Sequence, residues 1–469
     1  MEISLTQVNF LLNLVFTSGI FPDKWKIATL TPIPKQGVKT DVNNLRPISI
    51  LPMPSKLIEK LIHLKLSNYL EENHILNNHQ GGFRKGFSTI DTISKFTDDV
   101  ALAINENKMT VATFIDFKKA FDTVDHKILL DKMENLGIQN KPLKLLKNYL
   151  NNRLQHIKVN GLYSDFNEII CGVPQGSILG PLLFIIYTND IASVCKQCNF
   201  KCYADDTVVY FSSTDKNEAL STLQNDLDRL YQWCHQNKLT INIKKTKSMI
   251  FGTNNMTKKA KTLPMVTLNY QNIDYVHLYT YLGVKLDQHL SFEPYKKHIS
   301  KMIAHKTYLL SKIRCFLIKT QAINIYKSKI IPYLDYGDVL YDMTNAKSLD
   351  KLQKQQNRAL RICLKAGPRT HIYELHEQAN VLPLHKRRTQ HILTIAYKRK
   401  GDNKYVVNPI RYTRLFGGIV LNEIKANCNI AKRSVYNKTA TVWNRLPAEV
   451  RNIETVERFK SYVKMNFIQ

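Results

Sequence analysis

Acidic residues are scarce in this sequence of 469 residues. Its 38 Asp and Glu residues stand against 67 Lys and Arg residues, which leaves a formal net charge of +29 at pH 7. Such an imbalance, with an isoelectric point near 9.6, is typical of proteins that bind nucleic acid. The basic residues extend along the whole chain rather than forming a short tail. We therefore expect a polyanionic partner that contacts a large surface.

Long hydrophobic runs are also missing. The best apolar stretches, around residues 10–12 and 181–187, are far shorter than the roughly 20 residues that a bilayer span needs. The N-terminus carries Glu2 and no basic region before an apolar segment, so it does not resemble a secretory signal. The hydrophobic fraction of 44% is ordinary, and the length suits about three domains of average size. These features predict a folded protein without membrane association.

A disulfide framework is absent as well. The 8 cysteines are scattered, whereas secreted disulfide proteins are usually smaller and denser in cysteine. The spacing of Cys195, Cys198 and Cys202 leaves a zinc knuckle open as an alternative. No histidine follows at finger spacing, however, and Cys202 lies in a predicted strand. We favour free thiols in a reducing compartment.

Two adjacent carboxylates, Asp205 and Asp206, lie inside residues 200–211, between runs of β-branched and aromatic residues. This pattern predicts a β-hairpin with the pair at or beside its turn. An isolated acidic pair is usually part of a solvated loop, because acids are common on surfaces. Held on a rigid hairpin, the same pair can bind a metal ion. The choice depends on whether other carboxylates join it.

A third carboxylate, Asp116, ends the apolar run 110–115, which is too short for a helix and fits a buried strand. It is either the cap of the following segment or a ligand at a sheet edge. If it meets the hairpin there, the carboxylates provide the oxygen ligands that two divalent ions need. In a very basic chain, such a triad indicates nucleotidyl transfer on a nucleic-acid template.

Several cations accompany these carboxylates. Lys35 and Arg46 flank one loop, where they are either a clamp for an anion or two solvated charges. Arg84 and Lys85 lie in the glycine-rich segment 81–86, where a backbone can approach a phosphodiester closely. Residues 239–252 predict a strand pair with lysines at its turn. The basic clusters 386–388 and 398–400 are either nuclear-localisation signals or solvated faces, and we favour solvated faces.

Three motifs, in this order and spacing, resemble motifs A, B and C of reverse transcriptases. They are residues 114–122 (Phe-Ile-Asp-Phe-Lys-Lys-Ala-Phe-Asp), 172–177 (Gly-Val-Pro-Gln-Gly-Ser) and 203–206 (Tyr-Ala-Asp-Asp). Finger motifs are matched at 45–49 and 80–86, and motif D is matched at the lysine-rich strand pair. The combination resembles non-LTR (LINE-type) retrotransposons, nearest the jockey-like elements. Residues 443–447 (Trp-Asn-Arg-Leu-Pro) resemble the tail region of their polymerases.

The resemblance implies an α+β right-hand polymerase with fingers, a palm of antiparallel sheet and helices, and a helical thumb. We expect residues 1–20 to form a helix that is a remnant of an upstream region, and residues 21–290 to form fingers and palm. Residues 291–375 would form the thumb and 376–469 a basic, less regular extension. Related proteins also carry an endonuclease before the polymerase, and nothing here resembles it. The chain is therefore expected to copy RNA without nicking a target.

The resemblance also implies a role for each motif residue. For Phe121 the alternative is plain core packing, and Lys245 shares its assignment with its lysine neighbours. The implied roles are: Asp116, Asp205 and Asp206, ligands of two Mg²⁺ ions, with Mn²⁺ able to substitute; Lys35 and Arg46, the triphosphate; Phe121, exclusion of a 2′-hydroxyl; Gln175, nucleotide or template backbone; Lys245, protonation of pyrophosphate; Arg84 and Lys85, nucleic acid.

The activity implied is that of an RNA-directed DNA polymerase, a nucleotidyltransferase that extends a primer 3′-hydroxyl with dNTPs. Its partners would be an RNA template and a DNA primer or target, without a membrane, in the nucleus and cytoplasm. One alternative is a catalytically silent nucleic-acid-binding relic, in which loss of a triad Asp would be expected. A second is a group II intron maturase or a telomerase-like enzyme, which shares the palm.

Overall fold

The structure is a computed structural model, and it describes residues 5–34, 45–259, 264–342, 346–402, 404–407 and 419–466. Its strands are β1 Ala28–Pro34, β2 Leu45–Ile50, β3 Met109–Ile115, β4 Arg153–Val159, β5 Leu162–Tyr163, β6 Asn167–Ile169, β7 Asn199–Tyr203, β8 Asp206–Ser213, β9 Lys247–Phe251, β10 Val266–Leu268, β11 Gln271–Ile273, β12 Leu278–Tyr281 and β13 Val284–Asp287.

Helices surround these strands and make up most of the chain after residue 292. They are α1 Leu5–Ser18, α2 Met53–Glu72, α3 Thr89–Asn105, α4 His126–Asn135, α5 Asn140–Leu150, α6 Gly180–Tyr187, α7 Ile191–Val194, α8 Lys216–Gln236, α9 Asn254–Lys259, α10 Glu293–Ile313, α11 Lys319–Lys329, α12 Ile331–Asp335, α13 Asp338–Tyr341, α14 Ala346–Leu364, α15 Ile372–Ala379, α16 Leu384–Arg399, α17 Asn429–Lys432, α18 Val435–Asn444, α19 Ala448–Arg451 and α20 Val456–Asn466. Within the described ranges, none combines the length and apolar character of a membrane span.

The central sheet has the strand order β7-β8-β3-β9, and every pair in it is antiparallel. All residues of β3 are buried, because helices cover both faces of the sheet. Val111 and Val209 pack in the core that includes α8, whereas Phe114 and Tyr210 pack in the core that includes α3. Burial on both faces explains why β3 is almost continuously apolar instead of alternating.

A second sheet has the order β2-β1-β4-β5, with β6 also paired to β4. A turn at Asn160-Gly161 joins β4 to β5, and its φ angles of 50° and 86° are the left-handed values that a tight hairpin turn requires. The Ser49 amide of β2 donates a hydrogen bond to the Gln175 carbonyl at 2.7 Å. This contact joins the second sheet to the loop that precedes α6.

The predicted strand pair over 239–252 is wrong in its first half. Only β9 forms there, and Ile241 makes a single isolated bridge to Phe117. The intervening turn is instead closed on Asn242, whose carbonyl accepts hydrogen bonds from the Lys245 and Thr246 amides. The segment therefore serves as a turn that packs against the end of β3.

The loop with Cys195 and Cys198 is folded around the carboxylate of Asp226. That carboxylate accepts hydrogen bonds from the amides of Lys196, Gln197 and Cys198 at 3.0, 2.9 and 2.7 Å. Burial raises the pKa of the Cys195 thiol to about 12, which disfavours the thiolate that zinc requires. All eight cysteines are free, in keeping with the thiols favoured from the sequence.

The expectation of a less regular C-terminal part is wrong, since α15, α16 and the helices after residue 428 continue the helical region. The favoured solvated face is also wrong for both basic clusters. Arg388 and Arg399 are only 8% and 4% exposed, and Arg387 pairs with Asp335. These arginines pair with acidic residues that are distant in the sequence. Local composition therefore could not reveal that the arginines are buried. The domain boundaries near 290 and 375 stay predictions.

Candidate active site

The structure brings Asp116, Asp205 and Asp206 to one edge of the central sheet. Ile115 at the end of β3 lies opposite Thr207 near the start of β8, so Asp116 and Asp206 lie at the same end of neighbouring strands. Asp205 occupies the turn between β7 and β8. The predicted hairpin is confirmed, and the triad is assembled from two segments that are some 90 residues apart in the sequence.

Gln80 fixes the conformation of that turn. It is 5% exposed, its Oε1 accepts hydrogen bonds from the amides of Ala204 and Gly82 at 2.9 and 2.7 Å, and its Nε2 donates to the Ala204 carbonyl at 3.3 Å. Ala204 has φ of 59°, a left-handed value that is unusual for alanine. Gln80 belongs to the finger motif matched at 80–86, but the sequence gave no sign that its side chain holds the turn at Ala204.

Negative charge accumulates at this edge. Burial, followed by the neighbouring Asp205 and Asp116, raises the pKa of Asp206 to about 6. Burial and Asp116 also raise the pKa of Asp205, and the Arg46 guanidinium opposes that shift. Carboxylates that disfavour each other's ionisation form a site that a divalent cation would relieve. Their hard oxygen atoms fit Mg²⁺ and Mn²⁺.

A different group has the tightest spacing of metal-ligand side chains in the described part of the chain. Asp335, Asp338 and His391 each offer an atom within 4.8 Å of the others, a spacing that the Asp116 edge does not reach. Arg387, however, donates hydrogen bonds to the Asp335 carboxylate, and His391 Nδ1 lies 2.7 Å from Asp338 Oδ2. In this group, therefore, the Arg387 guanidinium already pairs with Asp335, and His391 is hydrogen-bonded to Asp338.

The backbone of Asp116 is anchored from the turn before β9. Its carbonyl accepts a hydrogen bond from the Asn242 amide at 2.7 Å, and its amide donates to Thr246 Oγ1 at 3.3 Å. Lys245 lies on the same turn and is exposed. The predicted proton donor is therefore carried by a segment attached directly to a triad carboxylate.

The glycine-rich loop 172–177 is hydrogen-bonded to the chain that follows Asp116. The Val173 amide donates to the Phe121 carbonyl at 2.8 Å and the Gly172 amide to the Val124 carbonyl at 2.7 Å. Gly172 has φ of 86°, and a Cβ there would lie 2.7–2.9 Å from backbone atoms of Asp122. Only glycine permits this close approach.

The same contact directs the side chain of Gln175, whose Nε2 donates to Asp122 Oδ1 at 2.8 Å. A cavity of about 310 Å³ opens beside this pair, between β1, β2 and the loop 169–175. The single amide side chain of the loop is therefore oriented at the wall of an open space that Asp122 also lines.

Phe121 is half-buried. Its ring stacks on Phe184 with centroids 4.5 Å apart, and it meets the edge of Phe83 at 6.1 Å. One face of the ring is thus supported by α6, while part of the ring remains accessible. This geometry is compatible with core packing and with contact to a sugar.

Glu59 of α2 holds the chain just after the loop 172–177, a role that its sequence context did not reveal. This fully buried residue of α2 accepts a hydrogen bond from the Ile178 amide at 2.7 Å and another from the Tyr149 hydroxyl at 3.0 Å. Burial raises its pKa, and these bonds together with the Arg153 charge oppose the shift. A buried, polar contact of this kind fixes where α6 begins.

The predicted anion-binding cations differ in their surroundings. Arg46 is exposed on β2 and acts electrostatically on Asp205, whereas Lys35 lies outside the described residues. Arg84 donates to both carboxylate oxygens of Glu71 at 2.8 and 2.7 Å and to two backbone carbonyls. Lys85 is exposed. The Arg84 guanidinium is thus engaged in internal contacts.

An exposed basic stripe on α10 was not singled out from the sequence. Its residues follow one another at helical spacing, so they share one face. The signal was present, as an interleaving of basic residues with an aromatic one. The α10 stripe comprises Lys297, Lys301, His305, Tyr308 and Lys312.

The sequence is similar to those of known proteins. A family model described as reverse transcriptase (RNA-dependent DNA polymerase) matches residues 33–286. The chain is 32% identical over 369 residues to the RNA-directed DNA polymerase from mobile element jockey of Drosophila melanogaster, covering 76% of this chain and 40% of that protein. It is 30% identical over 395 residues to the probable RNA-directed DNA polymerase from transposon BS of the same species, covering 81% and 43%. The chain thus spans less than half of these curated relatives.

Among solved structures, telomerase from Candida albicans in complex with a fragment of telomeric RNA matches with a TM-score of 0.42 and 13% identity. The match covers 80% of this chain and 70% of that one. An apo telomerase from Candida tropicalis, truncated from its C-terminal domain, matches with a TM-score of 0.38 and 11% identity, covering 60% of this chain and 58% of that one.

Proposed function

Because the chain belongs to the reverse transcriptase (RNA-dependent DNA polymerase) family, we propose that it extends a primer 3′-hydroxyl with dNTPs on an RNA template. The family and the right-hand polymerase fold class predicted from the motifs are confirmed by the match over residues 33–286. The similarity to the polymerase of the jockey element confirms the predicted type of element. Activity, substrates and partners are proposals for this chain.

The proposal rests chiefly on one observation, the convergence of Asp116, Asp205 and Asp206 at the end of β3 and β8. A silent relic that only binds nucleic acid has no use for three carboxylates that repel one another. Their shared charge also repels a phosphate backbone unless cations intervene. The arrangement therefore favours an enzyme over a binding protein.

The three carboxylates would hold two Mg²⁺ ions, with Mn²⁺ able to substitute. When bound, the ions would lower the pKa of the primer 3′-hydroxyl and neutralise the triphosphate and the leaving pyrophosphate. Asp116 is held in place for this task by Asn242 and Thr246. The hairpin turn that carries Asp205 is held by Gln80.

The remaining motif residues would bind and orient the nucleotide. Arg46, beside Asp205, would contact the triphosphate together with Lys35. Phe121 would lie under the deoxyribose, where contact excludes a 2′-hydroxyl. Gln175, oriented by Asp122, would touch the nucleotide or the template backbone. Lys245 would donate a proton to pyrophosphate.

The nucleic acid would be bound mainly through phosphates. The α10 stripe presents cations and one tyrosine on an exposed face, and such contacts position a duplex without reading its sequence. Lys85 would add a phosphate contact near the glycine-rich segment. Arg84 would act there through the backbone that it organises. Localisation in the nucleus and cytoplasm is proposed from the family alone.

Primer extension on an RNA template tests the proposal. We expect the intact chain to extend a DNA primer with dNTPs in Mg²⁺ or Mn²⁺, and Asp205→Ala to abolish extension. Asp131→Ala is the matched control, since it removes an exposed carboxylate from α4. Full extension by Asp205→Ala, or none by the intact chain in either metal, would overturn the enzyme proposal and favour the binding relic.

A further inference from the structure

An ion pair that is almost fully buried joins the C-terminal part of the chain to α3. Arg399 Nη2 donates to Asp98 Oδ2 at 2.6 Å, and the two side chains are 4% and 0% exposed. The residues are 301 positions apart. Burying both charges is costly unless each is fully hydrogen-bonded, so the surroundings of the pair decide its role.

Both members of the pair are held by further bonds. Asp98 Oδ1 accepts a hydrogen bond from the Tyr436 amide at 2.8 Å. Arg399 Nη1 donates to Thr439 Oγ1 at 2.9 Å, and its guanidinium lies over the Tyr405 ring at 4.5 Å. Arg399 Nη2 also donates to Ser94 Oγ of α3 at 3.5 Å. Both partners of the Asp98 carboxylate, Arg399 and Tyr436, come from the C-terminal part, so this carboxylate on α3 is satisfied within the protein only when that part is docked.

Further contacts extend the same interface along α3. Lys398 pairs with Asp91 and Lys404 with Asp99, each at 2.6 Å. At the end of the helix, the side chain of Asn105 donates to the Lys425 carbonyl at 3.0 Å and accepts from the Asn427 amide at 2.6 Å. Lys398, Arg399 and Lys404 thus contact the same helix, α3.

The other face of α3 contacts the strands that carry the triad. Phe96 packs edge-on against Phe114 of β3 and Tyr210 of β8, with centroids 5.8 and 4.9 Å apart. Phe114 precedes Asp116 by two residues. The Tyr210 hydroxyl also donates to Asp99, which itself pairs with Lys404. A continuous set of contacts therefore leads from the C-terminal part through α3 to the catalytic edge.

We propose that Arg399 and the described residues around it, 384–402, 404–407 and 419–466, are positioning elements of the polymerase site, which hold α3 against β3 and β8. The expected effect on kcat rests on the proposed function, whereas the expected effect on the packing of α3 against β3 and β8 does not. The C-terminal part is accordingly a component of the catalytic unit, and its basic residues at 398, 399 and 404 act on acidic residues of the palm rather than on nucleic acid. Its loss would loosen the carboxylates without removing any of them.

Hydrogen exchange on the full chain, measured by mass spectrometry, tests this directly. We expect Arg399→Met to accelerate exchange of the amides in 89–115 and 206–213, which lie outside the segment that carries the change. Steady-state kinetics should show kcat reduced by roughly tenfold to a hundredfold, as small misplacements of reacting groups produce, with the affinity for primer–template unchanged. Arg399→Lys, which keeps the charge, should restore part of both properties.

Arg458→Met is the control, since it removes an exposed arginine from α20 in the same segment. If Arg399→Met does not fold, Thr439→Ala removes one partner of Arg399 and should give the same pattern more weakly. Acceleration confined to residues 384–466, with unchanged kcat, overturns the proposal. If the wild-type chain proves inactive, the proposed function fails, while the exchange pattern still decides this inference.

Discussion

The side chain of Gln175 donates a 2.8 Å hydrogen bond to the carboxylate of Asp122, and this bond connects two motifs that the sequence separates by 53 residues. Asp122 lies six positions after Asp116, at the end of the segment that carries Phe121. Backbone hydrogen bonds at Gly172 and Val173 support the same connection. The loop and the triad strand are therefore one structural unit.

We expect Gln175 and Asp122 to act together. Gln175→Ala and Asp122→Ala should each raise the KM for dNTP, because the amide loses its orientation in either variant. A double-mutant cycle on kcat/KM should give a coupling energy of about 1.5–3 kcal/mol, the range for a hydrogen bond to a charged group. Asp228→Ala, on the exposed side of α8, is the control. Strictly additive effects would show that the bond has no part in nucleotide binding.

The sequence was sufficient to predict the fold where local signals agree. The run 110–115 was expected as a buried strand and forms β3, and residues 200–211 form β7 and β8 as expected. The helix over the first residues is confirmed as Leu5–Ser18, followed by Gly19 with φ of 68°. In these segments the apolar period, the turn residues and the length all indicate one structure.

Long-range partners explain what the sequence could not reveal. Glu59 and Gln80 have ordinary local contexts, and their roles come from Ile178 and Ala204, which are more than 100 residues away. The cluster 398–400 has the composition of a solvated face, yet its arginine, Arg399, is buried in an ion pair with Asp98. Pairing of this kind depends on tertiary contacts, and a single sequence carries no direct signal of them.

Phe121→Ala should relax sugar discrimination. Removing the ring opens space beside the sugar, so kcat/KM for ribonucleotides should rise relative to that for dNTPs. Because Phe121 is half-buried and stacked on Phe184, the variant should also lose roughly 2 kcal/mol of unfolding free energy, less than a fully buried Phe→Ala change. Phe316→Ala, at a position that is 85% exposed, should change neither quantity. An unchanged ribonucleotide preference would leave core packing as the role of Phe121.

The repulsion at the triad should be visible as a stability effect. Since the pKa of Asp206 is raised from 3.8 to about 6, the folded state binds this proton more tightly than the unfolded state. Its ionisation therefore destabilises the metal-free protein above pH 6, and the effect disappears as pH falls towards 4. Asp206→Asn should raise Tm at pH 7 in EDTA by about 2 °C, a small shift because water reaches the outer side of this partly desolvated carboxylate and screens the repulsion.

The difference in Tm between Asp206→Asn and the wild type should shrink on acidification, because the protonated carboxyl then resembles the amide. Mg²⁺ should stabilise the wild type more than the variant. Asp131→Asn should leave Tm unchanged at each pH. If Asp206→Asn is less stable than the wild type at pH 7 without metal, the carboxylates do not repel as inferred.

The α10 stripe should determine how affinity depends on salt. Each lysine that neutralises a phosphate releases a counterion, so its removal should reduce the slope of log K against log salt by about 1. We expect Lys301→Ala and Lys312→Ala each to show this change in fluorescence-anisotropy titrations of an RNA–DNA duplex. The weakening should be the same for unrelated sequences, because phosphate contacts carry no sequence information.

Lys354→Ala provides the matched control, because this exposed lysine on α14 already pairs with Asp350 at 2.8 Å. Its charge is compensated within the protein, so the slope should not change. Equal slopes for the wild type, Lys301→Ala and Lys312→Ala would show that the duplex does not contact α10. A slope reduced equally by Lys354→Ala would attribute the effect to net charge alone. A reduction confined to the stripe therefore distinguishes a defined nucleic-acid surface from the general attraction of a chain with a charge of +29.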